Sequence, residues 1–483
     1  MGEEELDLSI KEGPFQPSWE SLRGYRTPEW FRDAKFGIWS HWGPQSVPKY
    51  GDWYARNMYR EGEPQYLHHW RVYGHPSEVG YKEIVKQWKA EEFEPERLMK
   101  LFKEAGAQYF VAQAVHHDNF DNWDSRYHDW NSVQVGPGKD IVGAWRTAAE
   151  KYDLPFGVSE HLERVPQWFA VNKGCDEEGP YAGVPYDGND SKYEDFYLPD
   201  WEEEKLWSWW GEVWFRRMKD LIDQHRPDLL YSDGARRFKE GIRCDNDLLL
   251  SIVAHLYNSK ASSSEGMDRA VYTQKDTDPQ VYRIGVLDIE RGLQSEIDPR
   301  PWQTDTSVGN WSYHVSDSYK SPGQVIRTLV DIVSKNGNLL LNLPQLPDGS
   351  LDEECRYILD ELATWFDVNG EGIYSTRPWE ASGEGPTARE GGSFEEEALD
   401  WTEEDFRFTR KEDFLYAFQM KPPESKDKIR IKSLARGEAP EVLGVELLGK
   451  GSLLFEEKEE GLQIQLPEEN PTDYVACFRI DLR

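Results

Sequence analysis

Eight short apolar runs, most of them separated by amphipathic stretches, set the strongest limit on how this chain folds. They fall at residues 36–39, 109–115, 155–159, 228–232, 270–273, 285–289, 302–306 and 338–343. Helical patterns lie between most of them, at 95–105, 140–152, 202–225 and 322–334, with another at 352–366. Such alternation predicts a parallel sheet, because each return to the same edge needs a crossover. Eight repeats in succession predict a (β/α)8 barrel, a fold that runs to ~250 residues and beyond with insertions. An open doubly wound sheet is the competing architecture, and no G-x-G-x-x-G turn follows an early strand to support it. Local signals agree in the last repeat: Ser321 can cap a helix that Pro322 opens, and Asn336-Gly337 marks where it stops.

After Tyr374 the rhythm changes. Residues 380–397 are rich in Gly, Glu, Ser and Ala, and predict a flexible crossing or an exposed hairpin. Short strand-like runs follow at 406–408, 414–419, 428–431, 442–448, 462–466 and 474–478, as in a small antiparallel sandwich. The chain therefore divides into a barrel over 1–375 and a β-sandwich over 376–483.

Composition narrows the partners. With 56 Lys+Arg against 90 Asp+Glu the net charge is −34, which repels phosphate backbones and anionic membranes. No apolar run approaches the ~20 residues of a membrane span. The acidic start Met1-Gly2-Glu3-Glu4-Glu5 lacks a signal-peptide pattern, so the compartment stays open between cytoplasmic and secreted or periplasmic with a signal already removed. Cys175, Cys244, Cys355 and Cys477 are too scattered for a disulfide framework or a zinc motif. The 21 Trp, 24 Tyr and 20 Phe fill a large core and make carbohydrate a plausible ligand class.

In a barrel, reactive groups project from the C-terminal ends of the strands. Those ends carry Ser40-His41-Trp42-Gly43, His116-His117-Asp118, Ser159-Glu160-His161, Asp233-Gly234, Asp288 with Glu290, Asp305 and Asn342. A retaining glycosidase needs an ionised carboxylate and a protonated carboxyl ~5–5.5 Å apart. Asp233 and Glu290, on strands four and six, are the candidates, with Asp288, Glu160 and Glu296 as competitors for the acid. Each carboxylate has a blander reading as a helix cap or ion-pair partner. His116 and His117 are adjacent, so on a regular strand they would face opposite ways. No H-E-x-x-H helix accompanies them, and hydrogen bonding to sugar hydroxyls suits them better than a metal.

These residues sit in familiar blocks. WFRDAKFGIWSHWGPQSVPKYGDWY at 30–54, GAQYFVAQAVHHDNFDNWDSRYHDWN at 106–131 and PDLLYSDG at 227–234 resemble the α-L-fucosidases of glycoside hydrolase family 29, as do WQTDTSVGNW at 302–311 and NGNLLLNLP at 336–344. The resemblance implies a barrel followed by a β-sandwich, a fucosylated oligosaccharide or polysaccharide as substrate, and neither cofactor nor metal. It makes Asp233 the nucleophile and His41, His116 and His117 contacts to fucose hydroxyls. Trp53 matches the tryptophan of the family's G-E-W-Y block, in which Asp52 replaces the usual glutamate. Trp311 is expected against the sugar's methyl group and Glu160 as a third carboxyl in the pocket. Glu290, in DIERG, is the chosen acid/base because it closes a strand just ahead of the WQTDT block. A change of sugar to α-L-galactoside, a turnover-free carbohydrate-binding protein, and assembly as a homo-oligomer are alternatives the sequence leaves open.

Overall fold

A computed structural model describes residues 8–233, 245–261, 270–387, 390–396, 399–423, 428–437, 440–468 and 471–483. Eight parallel strands close a barrel in the order β1 to β8: β1 (Phe36–Ser40), β2 (Tyr109–Gln113), β3 (Phe156–Glu160), β4 (Leu229–Ser232), β5 (Val271–Gln274), β6 (Val286–Asp288), β7 (Trp302–Ser307) and β8 (Gly337–Asn342). β8 returns to β1, pairing Leu341 with Ile38.

Alternation along the strands separates two faces. Trp39, Tyr109, Val111, Leu229, Tyr231, Val271, Val286 and Leu340 form one cluster, the filled interior of the barrel. Phe36, Ile38, Phe110, Phe156, Leu230 and Leu341 belong to a second, larger core shared with the surrounding helices. Gly37 is required on the first strand, because a Cβ there would come within 2.3 Å of the Tyr109 ring.

The helices Pro95–Glu104, Ile141–Lys151, Glu203–His225 and Asp245–Lys260 fill the first four crossovers, and Pro322–Ser334 fills the last. β5 to β6 is joined through the single turn Val281–Arg283 alone. Ser321 caps its helix through Gln324 N–H in a full capping box, with Pro322 in the first turn as expected. The chain reversal falls on Asn336 (φ 74°) and not on Gly337. Gly337 is instead the first residue of β8, where a Cβ would press within 2.7 Å of both Ile332 and Trp302.

The C-terminal region is an antiparallel sandwich. Its six-stranded sheet runs β14 (Gly451–Ser452), β13 (Val442–Leu447), β17 (Ala476–Leu482), β11 (Phe414–Gln419), β10 (Phe406–Lys411) and β9 (Arg377–Glu384). The three-stranded sheet runs β12 (Lys428–Ile431), β16 (Gly461–Gln465) and β15 (Phe455–Lys458). Ile429, Ile431, Leu462 and Ile464 of the small sheet pack on Phe406, Phe408, Leu415 and Val445 of the large one. Against the barrel, Arg407 Nε meets the buried Asp331 at 2.6 Å and Trp365 donates to the Val475 carbonyl at 2.8 Å.

The stretch 380–397, expected as a flexible crossing or an exposed hairpin, spans the end of β9 and part of its connection to the antiparallel neighbour β10, and described residues in it are tied to the barrel. Its start completes β9, and further on Gly392 bridges to Leu293 beside the barrel mouth. Glu396 there takes Arg291 at 3.0 Å, Lys320 at 2.8 Å and Thr306 Oγ1 at 2.5 Å. Composition read the glycines and missed Glu396, the half-buried acid that pins the loop. Cys175, Cys355 and Cys477 are free thiols, and Cys244 lies outside the described residues.

Candidate active site

The mouth of the barrel is organised around a lysine that lies just past β5. Lys275 Nζ stands 2.7 Å from Glu290 Oε2, 3.3 Å from Asp305 Oδ2, 3.5 Å from Asp233 Oδ1 and 3.9 Å from Asp288 Oδ1. Burial would lower its pKa, yet the carboxylates of Asp305, Asp233, Glu290 and Asp288 outweigh that and hold it above the ordinary lysine value. Tyr231, one strand away, donates its hydroxyl to Asp305 Oδ2 at 3.0 Å.

Asp233 immediately follows β4 and is fixed there by its N–H, which donates to the Glu160 carbonyl at 3.1 Å. Gly234 lies outside the described residues. On the side of the carboxylate away from Lys275, His117 Nε2 approaches Oδ2 at 3.3 Å. His117 is oriented by its other nitrogen, Nδ1, which lies 2.8 Å from the His161 carbonyl. Burial alone would raise the pKa of Asp233. Lys275, the His117 hydrogen bond and the nearby His161 more than offset it and hold the carboxyl well below the usual range.

Glu290 behaves oppositely. Burial raises its pKa; Lys275 pulls it down, but Asp305 and Asp233 add repulsion, and the net shift is upward. The residue sits two positions beyond β6, with its carbonyl held by the Phe394 N–H at 2.9 Å. Asp233 and Glu290 therefore have environments that push two like groups toward opposite protonation states.

The three other candidates for the acid are placed differently. Asp288 is buried beneath Lys275, with Oδ2 accepting from Gln303 Nε2 at 2.7 Å, and burial beside Asp305 drives its pKa far up. Glu296 is exposed in the β6–β7 connection. Glu160, expected as a third carboxyl in the pocket, is instead built into the barrel wall. One oxygen accepts from Ser232 Oγ and the other from Leu162 N–H at 3.0 Å. A glutamate at the last position of a strand satisfies backbone and neighbouring-strand donors before it reaches the cavity.

Beside Asp233 four imidazoles cluster, with His41–His116, His116–His117, His41–His161 and His117–His161 centroids 4.9, 4.8, 5.2 and 5.3 Å apart. His116 and His117 share this cluster because β2 ends at Gln113 and both lie in the following turn, where strand alternation no longer applies. Burial lowers His41 to about 4 and pushes His116 and His161 well down, so these rings are neutral donors and acceptors. Asp52 Oδ1 lies 3.7 Å from His116 Nε2. Asp52 Oδ1 and His116 Nδ1 are buried without a hydrogen-bond partner, polar atoms of the kind a sugar hydroxyl would satisfy. Burial raises the pKa of Asp52 to about 7. Among the described residues His41, Asp52 and His116 also bring ligand atoms within 4.8 Å of one another, a set that suits hydroxyls or a cation.

Aromatic rings wall the cluster. Trp53 adopts the left-handed region (φ 59°), is 40% exposed, and meets His117 and Trp168 edge-on. Trp311 contacts Trp39 and His41, with the Arg291 guanidinium 4.8 Å over its ring. Three groups here were not picked out as site residues by the sequence reading. Lys275 follows β5, whose end carries no family motif, and His161 lies next to Glu160 in the sequence. Trp168 comes from the short helix Val165–Trp168, whose position no periodicity announces.

A (β/α)8 barrel whose strand ends gather two carboxyls with pKa values shifted in opposite directions, beside neutral histidines and tryptophans, defines a glycoside hydrolase. The chain belongs to the α-L-fucosidase family: the family's main profile matches residues 5–371, and that of the α-L-fucosidase C-terminal domain matches 399–481. It is 28% identical to the tissue α-L-fucosidase of Macaca fascicularis over 473 residues, covering 96% of this chain and 90% of that one. The human tissue enzyme is likewise 28% identical over 475 residues, with the same coverage. Among solved structures, the Thermotoga maritima α-fucosidase in complex with a mechanism-based inhibitor superposes with a TM-score of 0.75 at 25% identity, covering 97% of this chain and all of that one. No helix among the described residues is long and apolar enough to cross a membrane.

Proposed function

We propose that this chain is a retaining exo-α-L-fucosidase that removes terminal α-L-fucosyl residues from glycans by double displacement. Asp233 attacks the anomeric carbon while Glu290 protonates the departing oxygen. Glu290 then removes a proton from the water that releases fucose from Asp233. His41, His116 and Asp52 receive the sugar hydroxyls, and Trp53 and Trp311 face its apolar edges. Fucosidase names among the relatives, and fucose itself bound in a Thermotoga maritima relative, favour this sugar. No cofactor enters the scheme. The same reading divides the chain near residue 375, where the last barrel helix has ended and β9 begins at Arg377.

The observation that carries the retaining reading is the shared ammonium. Asp233 Oδ1 and Glu290 Oε2 lie 3.5 and 2.7 Å from one Lys275 nitrogen. The two nearest oxygens are therefore no farther apart than those lengths laid end to end, a limit that admits the ~5–5.5 Å spacing of a retaining pair. Proton NMR of the first product from an aryl α-L-fucoside tests it. Initial release of the α-anomer is expected; initial release of the β-anomer would overturn the mechanism. A panel of nitrophenyl glycosides tests the sugar, with fucoside as the fastest substrate expected and a faster galacto-configured L-glycoside contradicting it.

A further inference from the structure

The opposite face of the barrel holds a second charged site. Catalytic groups stand at the C-terminal ends of the strands, whereas an open cleft of about 680 Å³ lies at their N-terminal ends. Five arginines line it: Arg23, Arg26, Arg32, Arg283 and Arg300. Arg32 belongs to the helix Glu29–Ala34 that leads into β1. Arg283 ends the turn before β6, and Arg300 stands two residues ahead of β7. In a chain of net charge −34, carboxylates outnumber basic groups, and arginines are expected to find acidic partners one by one. Here they collect around one space.

Glu29 is the one carboxylate-bearing residue in the cleft lining, and it is already taken by Arg32 and Arg377, each at 2.6 Å. Arg23 and Arg283 are exposed and have no carboxylate partner among the described residues. Arg300 is held rigid, donating to the Tyr282 carbonyl at 2.9 Å with its guanidinium 4.6 Å over that ring. Arg32 Nε is buried without a hydrogen-bond partner. Like charges gathered in this way repel unless an anion joins them.

We propose that this cleft binds a compact ligand bearing two or more tetrahedral oxyanions, such as a sulfated or phosphorylated sugar. Guanidinium groups match sulfate and phosphate through paired N–H donors, and the volume falls in the ~300–1,000 Å³ range of small-molecule sites. The strongly negative remainder of the surface disfavours a long polyanion and favours a small one.

Titration calorimetry of the intact protein with sucrose octasulfate and with inositol hexakisphosphate tests the site, and the tighter probe identifies which oxyanion it takes. One-to-one binding that weakens as salt rises is expected. The Arg23→Ala/Arg283→Ala double variant should lose about tenfold or more in affinity. Hydrolysis of an aryl fucoside by that variant should be unchanged. Arg283→Glu alone provides the same test through charge reversal. Absence of binding by both probes at low salt, or undiminished binding in these variants, would overturn the proposal.

Discussion

Lys275 Nζ lies 3.5 Å from Asp233 Oδ1 while contacting Glu290 Oε2 at 2.7 Å, so one ammonium couples the two carboxyls on which the proposed chemistry depends. Removing it should act on both. In Lys275→Met, Asp233 loses the cation that lowers its pKa, which must then rise. Ionised Asp233 would be depleted at a higher pH, so the acidic limb of the kcat/KM profile moves upward. Lys275→Arg should restore the limb. A lysine that served only to hold the loop would reduce the rate at every pH and leave the limb in place.

Glu290→Ala separates protonation of the leaving group from nucleophilic attack. An aryl fucoside with a good leaving group needs little protonation, so its fucosylation step should fall far less than that of a natural glycoside. Pre-steady-state release of the aryl group reads this step. Equal losses on both substrates would move the acid role elsewhere.

Asp52 makes a prediction about stability. Its folded pKa of about 7 exceeds the unfolded value of ~3.9, so the folded protein holds an extra proton between those limits. That contribution is fully present below the unfolded pKa and is lost as pH rises toward 7. Asp52→Asn, which stays neutral, should therefore gain Tm relative to the parent as the pH is raised from 4 to 7. A difference independent of pH would contradict the assignment.

Arg407 and Lys335 share the buried Asp331, at 2.6 and 2.9 Å, where the C-terminal sheet meets the barrel helix Pro322–Ser334. Arg407→Leu removes one partner of a buried ion cluster, which costs about 3–5 kcal/mol. Denaturant unfolding at neutral pH measures it. Burial acts to raise the Asp331 pKa, but Lys335 and Arg407 lower it overall, so their stabilisation is present above the unfolded pKa and disappears as pH falls through the folded one. The gap between parent and variant should narrow in acid.

The barrel was legible because most strands are short apolar runs bounded by polar residues, β7 (WQTDTS) being the exception, and because Asp233, Glu290 and the histidines follow such runs closely. What escaped depends on the third dimension. Lys275 follows a four-residue strand, and its significance comes from carboxylates on three other strands that no linear spacing reveals. Glu160 has the composition of a site residue, yet Ser232 on the adjacent strand takes it into the wall. Glu396 comes from a glycine-rich stretch more than 100 residues beyond Arg291, and only the docking of the sandwich onto the barrel brings them together. Trp168 reaches the histidines from a four-residue helix too short to leave a period.

The nucleophile is the centre of the account, and covalent trapping tests it most directly. Incubation with 2-fluoro-fucosyl fluoride, proteolysis and mass spectrometry should place a single fluorofucosyl ester on Asp233, with no adduct in Asp233→Ala and its Tm preserved. An adduct on any other carboxylate, or turnover of aryl fucosides by Asp233→Ala at near-parental rates, would contradict the mechanism.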